Sequence, residues 1–247
     1  MKRLIVALLF VVASCGDDAP GATDDAAPPD AAPPDATVDA MPPDATYPDA
    51  TPQFCHHKTK GVFIGDTITQ DFYLAAREKM QEDGDVVLKI AVAGAKIEDQ
   101  YHTWMDSTLR GDASIDWIFV QAGIFNIIGG PSQSAEQDAS VMQVLLGDIH
   151  EQNPNALIFF ATMDPARGHL DGVGADRYPL WQDLQGRYIA MGAEDTISQG
   201  LNDGTGALAP NYNQGDGLRP NLAGYLASAA IVQQWLDDKF PDIPCEE

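Results

Sequence analysis

Short apolar segments alternate with longer segments of helical periodicity, and this alternation limits the fold more than any other feature of the chain. The apolar segments are GVFIG (61–65), DVVLKIAVAG (85–94), IDWIFVQAG (115–123) and NALIFFAT (155–162). Their lengths and their near-continuous apolar character are typical of strands buried on both faces. Such strands, separated by helices, predict an α/β fold in which a parallel sheet is covered by helices on both sides.

The helical segments carry recognisable end signals. Residues 69–84, TQDFYLAAREKMQEDG, have helical spacing, with Thr69 predicted as the N-cap and Gly84 as the residue just past the C-terminus. The segment between the third and fourth strands begins with Ser134 and Gln137 in capping-box spacing. The elements therefore alternate in the order that a parallel sheet requires.

Four short segments lie where the predicted elements meet, and in parallel sheets ligands bind just past the carboxyl ends of the strands. They are GDTIT (65–69), VAGAKI (92–97), AGIFN (122–126) and GDGLRPN (215–221). In order and spacing they resemble the sequence blocks of the SGNH (GDSL) hydrolase superfamily, which comprises esterases, lipases, thioesterases and carbohydrate deacetylases. The resemblance covers most of residues 60–240. It implies a flavodoxin-like three-layer α/β/α sandwich with a parallel sheet.

Most catalytic positions of that family hold other residues in this chain. Two positions match: Gly94 corresponds to a glycine whose N–H serves the oxyanion hole, and Asp216 corresponds to the aspartate that orients the base. The four others are Thr67 at the nucleophilic serine, Phe125 at the oxyanion-hole asparagine, Asn126 at the aspartate that follows it, and Arg219 at the histidine base.

Three of these replacements remove or hinder a reactive group. Arg219 is protonated at any ordinary pH and has no acceptor, so it cannot be a base, and we expect it to pair with Asp216. Thr67 keeps a hydroxyl, but its extra methyl restricts χ1 and crowds attack. Phe125 offers no N–H to an oxyanion. Losing one such donor costs about 100- to 1,000-fold in rate, and losing the base costs on the order of 10⁴-fold.

These replacements predict a hydrolase-like domain that is catalytically impaired or inactive and that acts as a binding or envelope-associated module. The alternative is an active esterase or carbohydrate deacetylase with a rearranged triad that uses Thr67. A substitute base would be needed, and His169, in the long loop after the fourth strand, is the first candidate, with His102 the second. Asn126 could replace the lost asparagine through a local bulge.

The N-terminus has the layout of a bacterial lipoprotein signal. A basic start is followed by LIVALLFVVAS, which is too short to span a bilayer well, and VASC at 12–15 resembles a lipobox. Residues 1–14 are therefore predicted as a signal peptide and Cys15 as the lipidated residue that anchors the protein to a membrane. Gly16 rather than aspartate follows the cysteine, which favours the outer membrane of the bacterial envelope.

Residues 15–53 are predicted to be a disordered tether between this anchor and a domain at 54–247. The segment repeats PPDA, and its part from Gly16 to Gln53 contains nine aspartates and no lysine or arginine. Such a composition has almost nothing apolar to bury and favours extended chain, which could reach on the order of 100 Å.

The remaining composition excludes some classes of partner. The formal net charge of −23 argues against nucleic-acid binding, which requires a basic surface. No cofactor motif or metal-ligand spacing is present, so neither a cofactor nor a metal is expected. The resemblance to the SGNH hydrolases implies an ester or a carbohydrate as the ligand class. Of the three cysteines, Cys55 and Cys245 remain after lipidation, and in an exported protein they are expected to form a disulfide.

Overall fold

The computed structural model of the protein describes residues 53–129 and 134–245. The predicted signal peptide, Cys15 and all of the tether before Gln53 lie outside the described residues. The strands are β1 (Phe54–Cys55), β2 (Lys60–Gly65), β3 (Val86–Lys89), β4 (Trp117–Gln121), β5 (Leu157–Phe160) and β6 (Ile243–Pro244). The helices are α1 (Thr67–Glu82), α2 (Ile97–Met105), α3 (Ile124–Ile128), α4 (Ala135–Gln152), α5 (Arg167–Val173), α6 (Arg177–Ala190), α7 (Thr196–Leu201) and α8 (Leu222–Lys239).

The four strands predicted from the sequence form one parallel sheet in the order β3–β2–β4–β5. Both faces of the central strand β2 are covered, because the consecutive residues Val62, Phe63 and Ile64 are all fully buried. Helices α1, α7 and α8 pack as one group, while α2, α4 and α6 pack as another. The predicted α/β fold with a helix-covered parallel sheet is confirmed.

Aromatic side chains fill the space between the sheet and α1. The ring of Phe63 meets those of Phe72 and Trp117 edge-on, with centroids 5.2 Å and 5.4 Å away. Edge-to-face pairs of this kind add stability beyond the buried area alone. This packing fixes α1 on the sheet and, with it, the turn that precedes the helix.

The structure corrects one predicted helix start and confirms others. Helix α1 begins two residues before Thr69, because Asp66 is the N-cap and its carboxylate accepts the N–H of Ile68. The hydroxyl of Thr69 instead donates to the Gln121 carbonyl on β4. Gly84 lies just past the end of α1 with φ 94°, as predicted. Ser134 begins α4 with the predicted capping box.

A disulfide joins the two ends of the domain. Cys55 on β1 is bonded to Cys245 just past β6, with Cα atoms 5.0 Å apart, and the two short strands pair antiparallel. The predicted pairing of these cysteines is therefore present. Within the described residues, no helix is both long and apolar enough to cross a membrane.

Candidate functional site

The first site segment is a tight turn between β2 and α1. A side chain at Gly65 would place its Cβ 2.0 Å from the Gln121 carbonyl oxygen and 2.1 Å from the Thr69 hydroxyl, so only glycine fits. Asp66 follows, wholly buried, and caps α1. Thr67 is the first residue of the helix and is only partly buried, at the carboxyl edge of the sheet.

Thr67 and Gly94 lie together, as the resemblance implies. The N–H of Gly94 donates to Oγ1 of Thr67 at 2.7 Å. Gly94 has φ 71°, a conformation that favours glycine, and it is exposed with open space around its Cα. The amide that would stabilise an oxyanion is therefore directed at the threonine hydroxyl.

Arg219 forms an ion pair with Asp216 at the position of the family's base. Its Nε donates to Asp216 Oδ2 at 2.8 Å, and its backbone N–H donates to Oδ1 at 2.9 Å. The side chains are 42% and 31% exposed, so the pair lies at the surface and contributes little to stability. The pair matters for catalysis instead, because the Asp216 carboxylate, which would orient a histidine base, is bound to the Arg219 guanidinium.

The ion pair also sets the ionisation of both groups. Partial burial alone would raise the pKa of the Asp216 carboxyl, but hydrogen bonds from the Arg219 backbone and side chain, and from Leu218, outweigh it and lower that pKa. The hydrogen bond to Asp216 in turn raises the pKa of Arg219. Neither group can exchange a proton near neutral pH.

The third of the four segments, AGIFN (122–126), provides no side-chain amide to an oxyanion. Phe125 is partly buried and packs against the core from α3. Asn126 is buried, its Oδ1 accepts the N–H of Ile97 at 2.9 Å, and its Nδ2 donates to Asp138 at 2.8 Å. These bonds hold α2, α3 and α4 together, so the amide of Asn126 is used structurally rather than at the edge where Thr67 lies.

Of the two histidines named as substitute bases, His169 lies beside the site. Its Nδ1 is 3.1 Å from the carbonyl oxygen of Asp216. Since a carbonyl only accepts, this contact places the proton on Nδ1 and leaves Nε2 of the neutral ring as an acceptor. His102 is exposed on α2, where it lines surface hollows together with residues such as Val144 and Thr108.

A buried pair of carboxyls was not anticipated from the sequence. Asp164, shortly after β5, and Asp66 both line a cavity of about 10 Å³, and Gln121 donates from Nε2 to Asp164 Oδ1 at 3.0 Å. Burial, together with the charge of Asp164, raises the pKa of Asp66 to about 7, and burial also raises the pKa of Asp164 to about 7. The sequence held one signal of this pair, which is that Asp164 comes just past the fourth predicted strand.

No group of three or more histidine, cysteine, aspartate or glutamate side chains is arranged to hold a metal ion within the described parts of the chain, 53–129 and 134–245. The candidate site residues therefore form two contacting groups: Thr67 with Gly94, and Asp216 with Arg219 and His169.

Solved structures share this fold. A GDSL-like lipase from Bacteroides thetaiotaomicron is 16% identical, with 73% of this chain and 89% of that chain covered and a TM-score of 0.61. A lipase/acylhydrolase from Enterococcus faecalis is 15% identical, with 76% and 100% covered and a TM-score of 0.57. An acetyl xylan esterase is 17% identical, with 72% and 99% covered and a TM-score of 0.53.

These similarities establish the fold class. The domain has the fold of GDSL-like lipases and acylhydrolases, as the four sequence segments predicted. No protein-family model matches the sequence, and no curated protein matches it in sequence. At such low identity the likeness extends to the fold alone, so the chemistry has to be argued from the residues of this chain.

Proposed function

We propose that the domain is a catalytically impaired relative of GDSL esterases that functions as a binding or envelope-associated module. The observation that carries the proposal is the ion pair in which Arg219 Nε donates to Asp216 at 2.8 Å. A hydroxyl nucleophile needs a neighbour that accepts its proton near neutral pH, and a guanidinium has no acceptor. The position of the base is therefore occupied by a group that cannot perform its function.

Two further contacts support this proposal. The Gly94 amide donates to Oγ1 of Thr67, which draws electron density from the hydroxyl oxygen that would have to attack. The side-chain amide of Asn126 is engaged in a buried network with Ile97 and Asp138. An oxyanion in this site would meet fewer free donors than the family's site provides, and each lost donor slows acyl transfer by about 100-fold or more.

The second candidate function is an active esterase or carbohydrate deacetylase, and one contact favours it. His169 Nδ1 faces the Asp216 carbonyl at 3.1 Å, which fixes the tautomer that has a basic Nε2. A backbone carbonyl would then orient the base in the way that a carboxylate usually does. In this candidate, Thr67 is the nucleophile and His169 the base.

The expected ligand follows from the fold class rather than from a bound molecule. An ester or an acetylated carbohydrate fits, since the fold is shared with lipases and with an acetyl xylan esterase. In the impaired module such a ligand would be bound and released unchanged. In the second candidate its acyl group would be transferred to Thr67 and then to water.

Ester hydrolysis distinguishes the two candidates. The purified protein, Thr67→Ala and His169→Gln are assayed on a short-chain p-nitrophenyl ester, with the exposed His102→Gln as the matched control. The impaired module predicts the same background rate for all four proteins. The active-enzyme candidate predicts a clear rate that is lost in both Thr67→Ala and His169→Gln and kept in His102→Gln.

We also propose that Cys15 carries a lipid anchor that holds the domain at the outer membrane of the envelope. Acyl chains buried in a bilayer supply this attachment without a membrane-spanning helix. Cys15→Ala is expected to move the protein from the membrane fraction to the soluble fraction, and mass spectrometry of the natural protein should find an acylated N-terminal cysteine. Membrane retention of Cys15→Ala would contradict the anchor.

A further inference from the structure

His56 lies between two carboxylates near the ends of the domain. It follows β1, and its Nε2 is 3.3 Å from Oδ2 of Asp85, the residue before β3. Its Nδ1 is 3.7 Å from Oδ1 of Asp242, the residue before β6. Both ring nitrogens therefore face carboxylate oxygens, one beside the sheet and one in the C-terminal segment.

These two acceptors select one form of the ring. A neutral imidazole has a single N–H, so one of its two nitrogens would direct a lone pair at a carboxylate. The protonated ring donates from both nitrogens and carries a positive charge. Only the imidazolium form of His56 can therefore bind Asp85 and Asp242 at the same time.

The position of Asp85 is fixed by neighbouring donors. Its side chain is 1% exposed, and its Oδ1 accepts the backbone N–H of Thr59 at 2.6 Å and the Thr59 hydroxyl at 3.0 Å. The Thr59 hydroxyl oxygen in turn accepts Nε1 of Trp117 at 2.9 Å. Because these donors are neutral, a protonated His56 adds the positive charge that they do not supply to the buried carboxylate.

Other charged groups line the same surface hollow as His56 and Asp242. Lys79 lies in the last turn of α1, Asp83 follows the end of that helix, and Asp237 lies on α8. Two of these three groups are acidic. The negative charges around the hollow therefore outnumber the positive ones.

We propose that His56, Asp85 and Asp242 form a terminal clasp, which is closed when the His56 ring is protonated and weakened when the ring is neutral. The closed clasp joins the segment after β1 to the sheet and to the segment before β6. It lies next to the disulfide, since His56 follows Cys55 directly. The proposal does not depend on whether Thr67 reacts.

The terminal clasp predicts a contribution to stability that falls as the pH rises. A protonated histidine paired with carboxylates stabilises the folded chain, and this contribution is lost once the ring gives up its proton. Histidines change charge between about pH 5 and pH 8, so the contribution should be present at pH 5.5 and absent at pH 8. Burial raises the pKa of Asp66 and Asp164 to about 7, so these carboxyls also make stability fall over this range. A variant of His56 separates the two effects.

Urea unfolding of the natural protein and of His56→Gln at pH 5.5 and pH 8 makes this comparison. The folding equilibrium constant of His56→Gln should be lower than that of the natural protein by about tenfold at pH 5.5 and by less than about twofold at pH 8. The matched control is His57→Gln, since the ring of His57 meets the ring of Phe240 edge-on. Its deficit should be the same at both pH values. An equal deficit of His56→Gln at both pH values would overturn the proposal.

Nitrogen-15 NMR of the histidine rings tests the terminal clasp without removing His56. Asp242 is 59% exposed, so Asp242→Asn should leave the fold intact. In this variant the His56 ring should lose its proton at a pH that is lower by about 0.2 to 0.7 than in the natural protein, as expected for the loss of one exposed ion pair. The exposed Asp106→Asn should leave this titration unchanged. If Asp242→Asn leaves it unchanged as well, the proposal is wrong.

Discussion

Removing the disulfide by the double change Cys55→Ser, Cys245→Ser is expected to lower the free energy of unfolding by about 4 kcal/mol. The bond joins residues separated by 190 positions, so it closes a loop that contains almost the whole domain. In the chain-entropy account, cross-linking such a loop removes many conformations from the unfolded state. The effect is large because the closed loop is long, and the exposed two-residue strands β1 and β6 offer little to hold the ends together once the bond is gone.

Urea unfolding followed by circular dichroism measures this difference. The matched control is the natural protein after reduction and alkylation, which should unfold at nearly the same urea concentration as the double variant. Equal midpoints for the double variant and the oxidised natural protein would show that the disulfide does not stabilise the domain.

Introducing the three side chains that the resemblance implies at positions 67, 125 and 219 is expected to create an esterase. The variant Thr67→Ser, Phe125→Asn, Arg219→His gains a less hindered nucleophile, an oxyanion donor and a base, while Gly94 and Asp216 are already in place. Asp216, which now accepts from Arg219, would accept from the new histidine instead. Turnover of a short-chain p-nitrophenyl ester should exceed that of the natural protein by about 100-fold or more.

The matched control carries Phe125→Asn and Arg219→His together with Thr67→Ala, so that only the hydroxyl is missing. It should hydrolyse the ester at the background rate. If the triple variant folds with an unchanged circular dichroism spectrum and still shows background turnover, then Gly94 and Asp216 do not hold the geometry that the account assigns to them.

The fold could be predicted because the apolar pattern of each segment indicates whether that segment is a buried strand. A strand that is covered on both faces is apolar over most of its length, and the four apolar segments contain β2, β3, β4 and β5. The start of α1 was not predictable in the same way, because Asp66 and Thr69 are both good N-cap residues. The contact of Thr69 with the Gln121 carbonyl decides between them, and that contact depends on tertiary structure.

The sequence predicted site residues only within the four segments that resemble the blocks of the SGNH hydrolases. Thr67, Gly94, Asp216 and Arg219 lie in such segments, and the structure joins Thr67 to Gly94 and Asp216 to Arg219. The burial of the Asn126 amide could not be foreseen, since its partners belong to other helices.

The pairing of Asp66 with Asp164 depends on tertiary structure as well. It follows from the sheet order, which brings the ends of β2 and β5 to either side of Gln121. Neither aspartate is distinguished by its local sequence from others that follow strands or begin helices.

The most direct test of the proposal that the site is catalytically impaired is the hydrolysis rate of a short-chain p-nitrophenyl ester by the natural protein compared with Thr67→Ala at pH 7.5. Because Arg219 cannot accept a proton and Phe125 offers no N–H to an oxyanion, the account predicts equal rates at the background level. A clear rate in the natural protein that Thr67→Ala abolishes would contradict it and would establish Thr67 as a working nucleophile.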